Sequence, residues 1–417
     1  MRPDIAKYIK LTDYEKALSL AISSTPSPEY ETIHTKEAVG RIAAETIRSR
    51  LDIPETDIAM MDGYALSTKD VAGLYEREHE RKKRIRLKVS SAISSGNYAA
   101  TYVTTGSQLP RNADAVVKVE DTRFLGDEIE LMSPPPRFKN VLKRGEDIRK
   151  GTIIVRKGEI LNAAKVSLLL FEGINQLKVN RRFRIAVISV GTELKKKSEA
   201  DDSRAYNNYA YYVSYCLKEI GCEPHLMGIA GDETEELNAF LKDAVASHDL
   251  ILTIGRSSVG LNDILLDFLK SMNAQIIFHG VKLLPARPTG LARLHRKLVW
   301  MLPAHAVSSA VALFSLVIPS IIYANLGPKI ESSITLKATL SETMENERYL
   351  PAAYLVKLKR KKGSFFATPL EWGSNLMSSL LTANSFTILS PKERLLRGDS
   401  VKVKLLSPME LLRIEGD

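Results

Sequence analysis

Two short segments combine the residue types that anion chemistry needs. TIGRSSVGLND, residues 253–263, sets Gly255 and Gly260 around Arg256 and Ser258, after an apolar run and before a helix. Backbone N–H groups in such a loop, with the positive end of the helix dipole, make a cradle for phosphate. Asp263 lies three residues past Gly260, where a carboxylate can help hold a divalent cation beside that phosphate. SVGTEL, residues 189–194, puts a second carboxylate, Glu193, just past another apolar run. Taken alone, an ordinary tight turn explains the Gly/Ser loop at least as well.

The elements around these segments give them a place. RIAVISVG, HLMGIA and DLILTIG read as strands, and residues 207–220 and 233–246 between them read as helices. Strands alternating with helices of that length predict a parallel sheet with crossover helices. The alternation resumes at residues 275–278 and 298–302 and in a helix after His305. In open α/β sheets ligands bind outside the carboxyl ends of the strands, where both segments fall. Upstream, the chain reads as helical to about residue 45, with LTDYEKALSLAISS at helical spacing and Thr12 as N-cap. Residues 46–141 are β-rich, with strands at 84–90, 115–119 and 128–132. Residues 144–179 give two glycine-punctuated β segments and a helix, 163–171, stopped by Gly173. Beyond Gly327 lies a small β domain of about ninety residues.

The 417 residues carry 59 Lys+Arg and 49 Asp+Glu, a net charge of +10. With 44% apolar and 26% charged residues, disordered and fibrous chains are excluded. Two cysteines, Cys216 and Cys222, make neither a disulfide framework nor a four-thiolate zinc site, so a reducing, cytoplasmic setting is expected. The N-terminus lacks an apolar core of signal-peptide type. Residues 306–324 are apolar and near bilayer length, yet Pro319, several serines and a preceding strand favour a buried helix, so no membrane is expected. The charged run 75–88 reads as a solvated loop entering a strand. No aromatic stacking pattern accompanies it, so no nucleic acid is expected.

Further motifs extend the pattern. MDGYAL (61–66), TTGSQLPRNADAVVKVED (104–121) and RGEDIRKG (144–151) precede VISVGTEL (187–194) and IGRSSVGLND. PARPTG (285–290), LPAHAVSSAV (302–311) and GSNLMSSLLTAN (373–384) follow. In this order, over nearly the entire chain, they resemble the molybdopterin molybdotransferase family, to which the gephyrin E domain also belongs. The resemblance implies a multidomain α/β plus β fold. A linker domain (1–45 and 142–178) would carry an inserted β-rich domain (46–141), followed by a three-layer α/β molybdopterin-binding domain (179–327) and a C-terminal β-barrel (328–417). It implies a homodimer whose cleft lies between one subunit's α/β domain and the other's inserted domain. The implied reaction inserts molybdate (or tungstate) into adenylylated molybdopterin and releases AMP, with Mg²⁺ assisting. A molybdopterin adenylyltransferase is a further expected partner.

By motif position, Asp62, Glu193 and Asp263 are the implied catalytic and metal-holding carboxylates. Thr105, Gly106, Gly255, Arg256, Ser258, Gly260, Lys282, Arg287 and Ser379 are the implied substrate-binding residues. Without the resemblance, a turn aspartate before Gly63 and a helix-start carboxylate account for Asp62 and Glu193. The departures cluster on the α/β ligand face. Arg256 replaces the second glycine of the family's SGGxSxG loop, where it either disturbs a positive-φ position or grips phosphate. Leu284 replaces a lysine before PGKP, which here is PARP, and LPGNP is LPAHA. Lys282 lies two residues before Leu284 on an extended segment and so on the same face, where it could supply the missing charge. Two readings stay open: an active enzyme, or a catalytically altered relative that binds molybdopterin or partners a standard paralogue.

Overall fold

The computed structural model describes residues 11–80, 84–93, 98–201, 206–257, 263–327, 334–407, 410–411 and 414. The chain divides into two compact units, Thr32–Val179 and Asn180–Asp417 with Met1–Glu31. In the second unit a six-stranded sheet is built from β1 (Arg184–Val190), β2 (Glu223–Ala230), β3 (Leu250–Ile254), β4 (Gln275–His279), β5 (Gly290–Leu294) and β6 (Lys297–Leu302), in the order 2-1-3-6-5-4. Alternate side chains enter two different cores. Ile185, Val187, Leu252 and Trp300 face one, and Ala186, Ile188, Ile251 and Met301 the other. Strands buried on both faces read as continuous apolar runs, which is why they were visible in the sequence.

One edge corrects the sequence reading. β1, β2, β3 and β6 pair in parallel, but β5 runs antiparallel to both β4 and β6. β5 and β6 form a hairpin turning at His295, whose φ is 54°. Only a crossover was expected there, because the turn residues His295 and Arg296 include none of the Gly, Asn, Asp or Pro that signal a hairpin.

The N-terminal helix is a second correction. It covers Tyr14–Ser24 only, Asp13 rather than Thr12 is its N-cap, and residues 30–34 are a strand. Pro26 and Pro28 cannot continue a helix and bias their predecessors away from it. This helix packs with the α/β unit rather than within the linker: Ala17 and Ala21, both fully buried, join the core of Leu316, Val317 and Ile321. The Tyr14 phenol donates to the Ser315 carbonyl at 3.4 Å, and burial pushes its pKa up to about 12. Ser315 sits in a π-helical turn, Leu313–Val317, just before Pro319, which has no N–H to offer. The surrounding helix, Ala306–Leu326, is a core helix, as expected: 89% of its most apolar stretch lies inside the fold.

The five β segments read beyond Gly327 form a closed barrel: Thr335–Leu340, Ser364–Pro369, Ala352–Lys361, Ser385–Leu389 and Ser400–Leu405 in spatial order. The other unit carries a six-stranded sheet of its own, ordered Ala115–Lys118, Gly63–Leu66, Ala99–Val103, Ile85–Val89, Glu128–Leu131, Arg123–Phe124. Helix Thr68–Glu80 packs Val71 against it. The charged run 75–88 is therefore partly the end of that helix, not wholly a loop. A separate core in the same unit gathers Ala38, Ala43, Val155, Leu161 and Leu169 around helix Ala163–Phe171.

Arg181 ties the N-terminal segment to the start of β3. Its guanidinium donates to both Asp249 oxygens at 2.9 and 3.1 Å and to Glu29 at 3.0 Å. Burial raises the Asp249 pKa, but the hydrogen bonds from Arg181 and the Arg184 amide outweigh it and hold the carboxyl below its ordinary value. Such a group contributes stability above its unfolded pKa, about 3.9, and loses it as pH falls through the lower folded value. Arg181→Ala should cost about 2 kcal/mol at neutral pH. In urea denaturation followed against pH, the gap to the wild type should narrow as the pH drops below about 4.

Candidate active site

At the carboxyl edge of the α/β sheet a cavity of about 530 Å³ opens, lined by Gly191, Glu193, Lys197, Gly255, Arg256 and Ala304 among others. The adjacent parallel ends of β1 and β3 both contribute to its lining. Gly255 stands at φ +106°, and a Cβ there would lie 2.4 Å from the Val190 carbonyl oxygen. Only glycine lets the β3 loop pass so close to β1. Glu193 is exposed in the first turn of helix Thr192–Ala200, and Lys197 is exposed one turn later. Tyr209 forms another wall and donates its hydroxyl to Asn375 Oδ1 at 2.9 Å, which joins the barrel's GSN segment to the cavity. The Ser374 carbonyl of that segment accepts the amides of Val307 and Ser308 at the start of the core helix.

Arg256 does hold a positive φ, 52°. Its guanidinium is turned onto Asp232, with Nε donating to Oδ1 at 2.8 Å and Nη2 to Oδ2 at 2.5 Å. Ser257 donates its hydroxyl to the Pro288 carbonyl, so the β3 loop lies against the PARP segment. Ser258 and Gly260 lie outside the described residues. Arg287, in PARP, is exposed and has no ion-pair partner among the described residues.

Three implied site residues have protein partners that the sequence did not suggest. Asp263 is only 2% exposed. It N-caps helix Ile264–Ser271 by accepting the Leu266 amide at 2.8 Å, and its other oxygen lies 2.9 Å from His279 Nε2. Its burial means that removing this carboxylate costs folding stability as well as a polar group at the ligand edge. Lys282 sits 2.9 Å from Asp13, in a short parallel pairing of Thr12–Asp13 with Val281–Lys282. The Lys282 hydrogen bond and charge hold the Asp13 pKa below its ordinary value. Leu284 packs against the barrel core, past a turn in which the Leu283 amide donates to the Val281 carbonyl, so the extended segment expected from Lys282 to Leu284 is not formed. Ser379 is buried and gives its hydroxyl to the Glu371 carbonyl at 3.0 Å.

Asp62 belongs to the other unit, where it is exposed immediately before strand Gly63–Leu66. Gly63 is required: a Cβ would lie 2.1 Å from the Val117 carbonyl oxygen of the neighbouring strand. Asp62 Oδ1 accepts both the amide and the hydroxyl of Thr105, at 2.7 and 2.8 Å. These bonds, the amide's first, hold its pKa below the ordinary carboxylate value. Gly106, at φ +83°, turns the chain so that Thr105 faces Asp62. Oδ2 has no partner among the described residues. The RGEDIRKG motif, by contrast, folds onto Asp52, which accepts from the Arg144 guanidinium and the Lys150 amide.

Residues 12–173 match the model of the MoeA N-terminal region (domain I and II), and residues 186–322 match a probable molybdopterin binding domain. A putative molybdopterin biosynthesis protein of Methanocaldococcus jannaschii is 32% identical over 284 residues, 66% of this chain and 70% of the relative. The chain belongs to the MoeA family of molybdopterin molybdotransferases. A molybdopterin molybdenumtransferase of Staphylococcus aureus is 26% identical over 370 residues, 87% of this chain and 86% of the relative. A solved structure of a molybdopterin biosynthesis MoeA protein from Pyrococcus horikoshii superposes with a TM-score of 0.80 at 30% identity, covering 95% of this chain and all of that one. This MoeA-family chain is thus a transferase of molybdenum cofactor biosynthesis, with Asp62 and Thr105 in the first matched region and the cavity in the second.

Sequence reasoning missed Asp232, Tyr209 and Asn375. The only signal for Asp232 was its place just after the HLMGIA strand, where loop residues reach the ligand edge. Two outcomes test the geometry. Gly255→Ala should destabilise the chain by about 3 kcal/mol, from positive φ and the contact with Val190. Asp263→Ala should lose about 1–2 kcal/mol of helix capping while Asp263→Asn keeps most of it; equilibrium unfolding in urea reads all three.

Proposed function

We propose that the chain inserts molybdate, or tungstate, into adenylylated molybdopterin and releases AMP. The observation that carries this reading is the cavity at the ends of β1, β3 and β6, floored by a loop that only Gly255 permits and rimmed by Glu193 and Lys197. An anionic pterin nucleotide needs backbone donors and cationic side chains at its phosphates. Water attacks the phosphoanhydride, the P–O bond to the adenylyl group breaks, and AMP leaves; the two dithiolene thiols then form two metal–sulfur bonds while one oxo ligand leaves as water with their two protons.

A divalent cation such as Mg²⁺ suits the exposed carboxylates Glu193 and Asp62, whose Oδ2 has no partner among the described residues, because hard cations take oxygen ligands. When bound it would neutralise charge on the phosphates. Asp263 fits that role less well, since both its oxygens already have partners. Among the described residues no three acidic, His or Cys side chains of one chain gather into a metal cluster.

The site would be completed in a homodimer, with Asp62 of one subunit set opposite the cavity of its partner. Exposed apolar side chains next to Asp62 support this: Met60, Met61, Tyr102 and Val119 are each 39–50% exposed. A surface of that kind fits a partner subunit. Two free thiols, Cys216 and Cys222, support a cytoplasmic setting, and a molybdopterin adenylyltransferase would supply the substrate.

A second reading, a relative altered in catalysis, is favoured by one observation. Arg256 and Lys282 both have their charges engaged by aspartates, and Leu284 replaces a lysine.

The test uses purified chain, adenylylated molybdopterin, molybdate and Mg²⁺, with AMP as readout. AMP release from the wild type is expected, and none would favour the second reading. Asp62→Ala and Glu193→Ala should each abolish release. Mixed and reassembled, the two variants should regain about one quarter of wild-type activity, since half the dimers then hold one intact site. No recovery would place both residues in the site of a single chain.

A further inference from the structure

Arg256 is a non-glycine residue in the left-handed region, a conformation that L side chains disfavour, at the rim of the cavity. Three loops meet at its partner. The Asp232 amide donates to Thr192 Oγ1 at 2.9 Å, in the segment after β1. Its carboxylate accepts the guanidinium from the loop after β3, in the two-bond geometry that holds a planar fork in one orientation. Asp232 itself stands in the loop after β2. The carboxylate is 20% exposed and the guanidinium 40%, so the pair is partly shielded from water. At the neighbouring Gly255 an added Cβ would clash with the Val190 carbonyl oxygen, so the loop runs close against β1 there.

We propose that the Asp232–Arg256 clasp makes Arg256 a positioning residue: it holds the loop backbone at residue 256 in the left-handed geometry that a glycine would reach unaided, and so sets the substrate's fit at the loop. The guanidinium acts on the protein side of the cavity, through Asp232, and does not grip the substrate phosphate. This deepens the reading of the cavity as the pterin-nucleotide site and rests on it.

The experiment compares KM for adenylylated molybdopterin with kcat of AMP release in four variants. Arg256→Ala leaves a Cβ at positive φ with no clasp, and Asp232→Ala leaves the guanidinium without its anchor. Each should raise KM about ten-fold with kcat changed less than about three-fold. Arg256→Gly should recover most of the affinity that Arg256→Ala loses, because glycine adopts the conformation without help. Adding Asp232→Ala to Arg256→Gly should raise KM by less than about two-fold, since the clasp is already gone.

Three results overturn the proposal. In one, Asp232→Ala lowers KM, which would mean that the freed guanidinium binds phosphate. In another, Arg256→Gly is as impaired as Arg256→Ala. In the third, the effects of Asp232→Ala are the same with Gly or Arg at 256. A wild type that releases no AMP counts against the proposed reaction and not against the clasp. Amide hydrogen exchange at residues 255–257 then decides: Asp232→Ala should speed it about ten-fold, and an unchanged rate removes the clasp.

Discussion

Burial of the α/β sheet on both faces is the constraint on which the rest of this chain depends. β1, β3 and β6 carry apolar side chains above and below, so no polar group can be offered from the middle of the sheet without a desolvation cost. Chemistry is pushed to the ends of the strands. Parallel pairing of β1, β2, β3 and β6 then brings several carboxyl ends to one edge, and their loops meet there. The cavity is a consequence of that arrangement. Its closest approach, at Gly255 over the Val190 carbonyl, is where the packing tolerates no side chain at all.

Charge at the edge is divided between groups that hold the scaffold and groups left facing water. Asp232 with Arg256, Asp263 with His279, and Lys282 with Asp13 are matched within the chain. Each pair joins segments that are distant in sequence. Glu193, Lys197 and Arg287 are exposed on the α/β unit, and Asp62 is exposed on the other. Asp263 and Asp232 are the shielded members, 2% and 20% exposed, so removing their partners leaves a desolvated charge, whereas Lys282 and Asp13 stay 42% and 69% exposed. The first class therefore acts through the backbone it holds in place, and the second acts directly on what enters the cavity.

The same division explains which parts of the fold were legible. Strands β1, β3 and β6 and all five barrel strands showed in the sequence as apolar or alternating runs bounded by glycine and proline. The core helix Ala306–Leu326 was legible for the same reason, its composition being that of an element buried all round. β5, the short strand Gly63–Leu66 and helix Thr68–Glu80 were not. A hairpin edge and a four-residue strand carry too few residues for their period to stand out. The N-terminal helix was recognised as a helix, but nothing in its own pattern says which unit Ala17 and Ala21 pack against.

By itself the sequence determined the family, the order of the motifs and the residue types at the ligand edge. Those are local: MDGYAL, TTG and SVGTEL are contiguous, and glycine at 63 and 255 is demanded by backbone that the side chain's absence makes possible. Only the tertiary structure decided what each charged side chain does. Arg256 could have reached outward for an anion, Asp263 could have faced water, and Lys282 could have aimed at the cavity. Asp232, His279 and Asp13 took them instead, from positions 24, 16 and 269 residues away in the chain. The strength of a charge pair depends on separation and solvent exposure, and neither exists until distant segments have packed.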